Sequence, residues 1–314
     1  MNILVTGGAG FIGSNIVDEL IARGHRVVII DNLSTGRRDN LNKEAAFHEM
    51  DVRNPEIDKV FESHRLDAIV HLAAQIDVRK SVEDPSFDAD INILGGINLL
   101  RAAKKFKVKK IVYSSTGGAI YGEPRYLPAD EKHPIRPMAG YGVSKYALEH
   151  YIELFSDLYG IDYTILRYAN VYGPRQDPLG EAGVIAIFTG KMLEGKSPVI
   201  FGNGEQTRDF VYVSDVVKAN VIALEKGSRD IFNIGTGEET SVNTVFNELR
   251  KVLGSSGEAT YQAARPGEVF RVYLDNRKAL ERLGWKPEVG LYEGLKRTVE
   301  FTGAQSGEAR SMPS

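Results

Sequence analysis

The chain has 314 residues, 42% of them hydrophobic and 26% charged, with a net charge of -3 and no cysteine. That length accommodates one large domain plus a smaller one, or two of similar size. The charge balance gives no global basic field for nucleic acid, and the absence of cysteine excludes disulfides, thiolate metal sites and cysteine nucleophiles.

The opening MNILVTGGAGFIG has no positively charged lead and no small-residue cleavage site, so it reads as a strand and not as a secretion signal. No apolar run approaches the roughly 18 residues of a membrane span. A cytoplasmic chain is expected, with neither membrane nor nucleic acid as partner and with no metal.

Short apolar runs then alternate with longer amphipathic stretches. The runs are Ile3–Val5, Val27–Ile30, Ala68–Leu72, Ile111–Tyr113 and Tyr163–Leu166. Strands of this kind are buried on both faces, as in a parallel sheet covered by helices. Helices are expected at about 11–23, 55–64, 87–106 and 142–159, the last with Tyr146, Leu148, Tyr151, Ile152 and Phe155 as an apolar face. The reading is an α/β fold, a Rossmann-type doubly wound parallel sheet over residues 1–170. After about residue 170, Gly- and Pro-rich loops separate shorter elements, which suggests a smaller α/β region over 171–302. Within it, Asp215–Glu225 reads as a helix, and 205–230 is expected to pack back on the first domain. The tail 303–314 lacks periodicity and is expected to be frayed.

Thr6-Gly7-Gly8-Ala9-Gly10-Phe11-Ile12-Gly13 follows the first run directly and opens a helix. Gly7 permits the tight turn, Gly10 lets backbone approach a pyrophosphate, and Gly13 lets helix and strand pack closely. The pyrophosphate would meet free N–H groups at the positive end of the helix. Asp31 closes the next run, where a carboxylate would hold both adenosine ribose hydroxyls and repel a 2′-phosphate. The cofactor expected is therefore NAD, although Arg37 and Arg38 follow closely. Asp51-Val52 suits an adenine-edge contact, and Leu72-Ala73-Ala74 offers small residues beside phosphate and nicotinamide ribose.

Tyr141 and Lys145 stand four apart, on one helical face. A nearby cation favours phenolate and would lower the tyrosine pKa toward neutrality. Tyr292 and Lys296 share the spacing, but Tyr141 begins the helix after the fifth run, at the carboxyl edge of the sheet. Ser114-Ser115-Thr116, ending that run, could add a hydroxyl beside the phenol.

These segments resemble the extended short-chain dehydrogenase/reductase family, and within it the UDP-glucose 4-epimerase group. The resemblance rests on TGGAGFIG, the DNL at Asp31–Leu33, HLAA at His71–Ala74, SSTGGAIYG at Ser114–Gly122 and YGVSK. It continues through RYANVYGPRQDP at Arg167–Pro178, NGEQTRDFVYVSD at Asn203–Asp215, FNIGTG at Phe232–Gly237, RPGE and LGW.

The resemblance implies tightly held NAD and epimerisation at C4 of a UDP-hexose through a 4-keto sugar, in galactose metabolism. Tyr141 would move the 4-hydroxyl proton, and Lys145 would bind the nicotinamide ribose. The third catalytic group falls on Thr116 if Gly117-Gly118 contains a one-residue insertion. Otherwise the position falls on Gly117, with Ser115 as the fallback. By the same resemblance the cofactor would also be contacted by Phe11, Ile12, Asn32, Asn92 and Ser114, and the substrate by Asn170, Arg208, Arg265 and Thr116. Val272 stands where some relatives carry a tyrosine that excludes N-acetylhexosamines, although a one-residue slip would bring Tyr273 there instead. A homodimer is expected through the helices near 87–106 and 142–159. A nucleotide-sugar dehydratase or decarboxylase on the same scaffold, or a non-catalytic dinucleotide sensor, are the alternatives.

Overall fold

The computed structural model describes residues 1–178, 183–264 and 269–311. Thirteen strands occur among them: β1 (Asn2–Thr6), β2 (Arg26–Asp31), β3 (Ala46–Glu49), β4 (Ala68–His71), β5 (Lys110–Thr116), β6 (Asp162–Tyr168), β7 (Asn170–Tyr172), β8 (Val199–Phe201), β9 (Thr207–Arg208), β10 (Phe210–Tyr212), β11 (Asp230–Ile234), β12 (Thr240–Ser241) and β13 (Thr260–Gln262). Seven form one sheet in the order β11-β6-β5-β4-β1-β2-β3, with every pairing parallel. All five apolar runs fall on its strands, with Leu72 just past the end of β4.

Alternate side chains feed two cores. Ile3 and Val5 of β1 join Ile16, Val17 and Leu20 of the helix Phe11–Ala22 on one face. Leu4 joins Leu99, Leu148 and Ile152 on the other. Because strand residues alternate sides, a sheet buried on both faces needs the unbroken apolar runs seen in the sequence.

The helix Val213–Ala223 packs against Phe11–Ala22. Trp285 is buried beneath it and donates its indole N–H to the Asp215 carbonyl at 2.8 Å. The sequence reading did not foresee β11. Asp230–Ile234 returns from the later half to extend the main sheet beside β6. Beyond residue 170, three two-stranded pairings and the helices Val184–Leu193, Val242–Leu253, Arg277–Leu283 and Leu291–Ser311 make up the rest.

Two expectations differ from the structure. The last helix runs through 303–311, a stretch expected to be frayed, because each added residue of an established helix gains a backbone bond at low cost. On Gly140–Tyr159, Tyr151 is exposed while Lys145, Glu149 and Ser156 are buried. The inward face of that helix is partly polar, for a reason that lies in the site.

Candidate active site

β1 lies between β2 and β4 in the sheet although β4 comes later in the chain, so the strand order reverses at its carboxyl edge, where such sheets bind ligands. The glycine loop occupies this edge. Gly7 has φ +72° and donates its N–H to the Ile30 carbonyl at 2.8 Å. A side chain on Gly13 would overlap the Gly7 carbonyl oxygen, so the close approach of helix and loop requires glycine there. Gly10 caps the helix Phe11–Ala22 without any side-chain hydrogen bond. An anion can therefore serve the N–H groups at Phe11 and Ile12, which fits a pyrophosphate.

Asp31 is buried at the end of β2 and accepts the N–H groups of Ala9 (3.0 Å) and Leu33 (2.8 Å). Each carboxylate oxygen has a second lone pair, so the group is oriented and retains capacity for a ribose. Arg38, a reason for caution about NADP, is ion-paired with Glu49. Asn32 donates to Asp51 at 2.8 Å, and Arg53 holds the same carboxylate. The Arg53 hydrogen bonds bring the Asp51 pKa down to about 2. Val52 is buried against Gly95. Leu72 and Ala73 hang from the Thr6 hydroxyl, both at 3.2 Å, beside the loop.

Two residues expected to touch cofactor are turned to other partners. The Ser114 hydroxyl meets Tyr168 at 2.9 Å in the core. Asn92 is buried and bonded to Gln75, Asp88 and Ser144, acting as a strut between segments.

At the carboxyl end of β5, adjacent hydroxyls take opposite directions. Ser115 donates to the buried Glu149 at 2.5 Å. Thr116 faces the Tyr141 phenol and favours its phenolate form. Of the two hydroxyls, Ser115 is therefore turned to the Glu149 carboxylate, while Thr116 is the one that acts on Tyr141. Gly140 abuts the Ser81 carbonyl and Gly142 the Ala119 carbonyl, and neither leaves room for a Cβ. This pair of glycines seats the first helical turn, and with it Tyr141, against two neighbouring segments.

Lys145 is 4% exposed, with its ammonium 4.5 Å from the centre of the Tyr113 ring. Its setting corrects the sequence expectation that Lys145 lowers the tyrosine pKa. In the protein alone, burial pushes Tyr141 up to about 12 and Asp88 adds to the rise. Burial also brings Lys145 down to about 7, against the pull of Glu149 and Asp88. Desolvation is the largest cause for both groups. His71, beside them at the end of β4, is held near 3 by burial and by Lys145, and is therefore neutral.

Under this layer lies an ion pair that the sequence reading missed. Glu149 (1% exposed) takes Arg167 (2% exposed) through Nε at 3.0 Å and Nη2 at 2.5 Å. Arg167 also donates to Tyr121, and Tyr121 to Asn233. Glu149 follows Lys145 by four residues, so a third polar position on that helical stripe was its available signal.

On the substrate side, Asn170 begins β7 just beyond β6, and its Oδ1 stands 3.6 Å from where a Gly118 Cβ would lie. Arg208 is half-buried on β9 and donates to the Thr207 carbonyl at 2.7 Å. Its neighbour Asp209 is no surface partner: it is buried and takes the N–H groups of Thr236, Gly237 and Leu274. Val272 is buried beside Arg271, which pairs with Glu239. Arg265 lies outside the described residues. Tyr292 and Lys296 are both exposed on the last helix, away from this edge.

Residues 3–235 match the NAD dependent epimerase/dehydratase family. The chain belongs to that family. It is 44% identical to the UDP-glucose 4-epimerase of Mycolicibacterium smegmatis over 307 residues, covering 96% of this chain and 98% of that one. Its fold matches a UDP-glucose 4-epimerase structure from Thermotoga maritima with UDP-glucose at TM-score 0.96 and 52% identity, covering 98% of this chain and 100% of the other. The Thermus thermophilus UDP-glucose 4-epimerase in complex with NAD aligns at TM-score 0.92 and 44% identity, over 96% and 98% of the two chains.

Proposed function

We propose that this protein inverts C4 of a UDP-hexose, interconverting UDP-glucose and UDP-galactose with NAD held in the glycine loop. The observation that carries this reading is the meeting of Thr116, Tyr141 and Lys145 at the same sheet edge as that loop. When bound, NAD supplies the hydride acceptor at C4 and a cationic ring that opposes the upward shift of the phenol. Tyr141 accepts the 4-hydroxyl proton as C4 becomes a ketone, and Thr116 hydrogen-bonds the same oxygen. Once the sugar has turned its other face, Tyr141 returns the proton and the opposite alcohol forms. Lys145 holds the nicotinamide ribose. Asn170, Arg208 and Arg265, in the region after residue 170, hold the sugar and diphosphate; a guanidinium suits phosphate through paired hydrogen bonds.

Dehydration or decarboxylation needs a further acid or base beside the catalytic hydroxyl. Here Gly117 and Gly118 follow Thr116, and the space at Gly118 opens toward Asn170. That favours epimerisation over these alternatives, and retention of the tyrosine–lysine pair disfavours a sensor. Val272 in place of a larger aromatic supports acceptance of N-acetylhexosamine forms.

A homodimer is supported by exposed apolar residues. Val143, Leu154, Tyr151 and Leu158 share one face of Gly140–Tyr159, and Leu94 is exposed on the neighbouring helical segment. No helix among the described residues is long and apolar enough to cross a membrane. With the absence of cysteine, this supports a cytoplasmic setting. Incubation of the purified protein with UDP-galactose and UDP-N-acetylgalactosamine, with products resolved chromatographically, tests both reaction and sugar range.

A further inference from the structure

The short helix Pro85–Ala89 passes through a π-helical turn, Asp90–Leu94, into Gly95–Lys105. Such turns are rare and concentrate at functional sites. Here Asp88 and Asn92 both point inward. Asp88 is 1% exposed, and its Oδ1 accepts from Gln75 Nε2 at 2.9 Å and Asn92 Nδ2 at 3.1 Å. Asn92 donates onward to the Ser144 hydroxyl at 3.0 Å, and Ser144 donates to the Tyr141 carbonyl at 3.1 Å. A chain of hydrogen bonds thus runs from Asp88 to the backbone of Tyr141.

A carboxylate served by neutral amides is costly to bury unless a cation faces it. The groups around Lys145 are His71 of β4, Tyr113 of β5, Tyr141 and Glu149 of its own helix, and Asp88. His71 is neutral, and Glu149 is committed to Arg167 and Ser115. Asp88 is the remaining negative charge, and its field reaches both Lys145 and Tyr141.

We propose that Asp88 is a positioning residue for the reaction: it anchors the first turn of the Tyr141 helix through Asn92 and Ser144 and serves as the counter-charge of Lys145. This rests on the assignment of the chemistry to Tyr141 and Lys145. Asp88 favours the protonated form of both groups, so its removal moves both titrations to lower pH.

The test compares kcat–pH profiles for UDP-galactose in wild type, Asp88→Asn and Asp88→Ser. In Asp88→Asn both limbs move down by at least about one pH unit, the effect of a single charge about 12 Å away at an effective dielectric constant of about 20. Asp88→Ser removes the same charge with a smaller side chain and moves them down likewise, so either variant alone carries the test if the other does not fold. Nuclear magnetic resonance titration of the Lys145 amine, in protein labelled at lysine, follows the same shifts without turnover. An active wild type with unmoved profiles in both variants overturns the role of Asp88 and leaves the reaction standing. An inactive wild type overturns the reaction, and the Lys145 titration then decides on Asp88: a downward shift in the variants upholds its counter-charge role, and no shift overturns it.

Discussion

Ser115 and Thr116 are neighbours on β5 with opposite allegiances: Ser115 is bonded inward to Glu149, and Thr116 faces Tyr141. The division predicts a clean separation of effects. Thr116→Val keeps the shape and the fold but lowers kcat about a hundredfold, the low end of what positioned proton-transfer partners contribute. Ser115→Ala costs about 1–2 kcal/mol of stability and leaves kcat within a few-fold. Parallel kinetics and urea unfolding of the two variants check this; a reversed pattern would make Ser115 the catalytic hydroxyl.

The Glu149–Arg167 pair lies almost wholly out of water. Glu149→Ala leaves the guanidinium buried without its partner, which costs about 3–5 kcal/mol. The expected result is a large drop in Tm or loss of soluble protein. A Tm within a degree or two of wild type would show that Arg167 finds water or another acceptor.

His71 makes stability depend on acid. Its folded pKa, about 3, is depressed below the unfolded value of 6.5 by burial and by Lys145. The unfolded chain therefore binds a proton that the folded chain refuses, so the stability present above pH 6.5 is lost as pH falls toward 3. At pH 5.5 the loss from this one group is about 1.4 kcal/mol. Replacement by Asn should shrink the difference in unfolding free energy between pH 7 and pH 5.5 by that amount; an unchanged difference would contradict a neutral His71.

The glycine loop gives a binding prediction. In Gly13→Ala the new methyl meets the Gly7 carbonyl, so helix and loop must part. The purified variant should lose its bound NAD, measured by release on denaturation. Stoichiometric retention would contradict the proposed pyrophosphate seat.

The self-association face is tested by Leu158→Glu. Leu158 is 60% exposed in the single chain, so the change is nearly free of folding cost. Light scattering should show a dimer become a monomer, and a mass unaffected by the charge would place the interface elsewhere.

Much of this was legible in the sequence because the signals were local. Ile3–Val5 and its kin are continuous apolar runs, and only a sheet covered on both faces explains them. The Gly7–Gly13 spacing is a backbone requirement written in one residue type. Other features were not legible because distant segments make them. β11 joins β6 across some sixty residues, and nothing in Asp230–Ile234 names its neighbour. Glu149 and Arg167 meet only once helix and strand pack. The pKa of Tyr141 departs from the sequence expectation for a related reason: spacing reveals that a cation is close, and burial decides which way the phenol moves.

The most direct test of the account is the conversion of UDP-galactose by the purified protein without added NAD, in wild type and Tyr141→Phe. The account predicts UDP-glucose as the product of the wild type, and a loss of at least a hundredfold in the variant with its NAD still bound. A 4-keto-6-deoxy product, no inversion at C4, or an unimpaired Tyr141→Phe would contradict it.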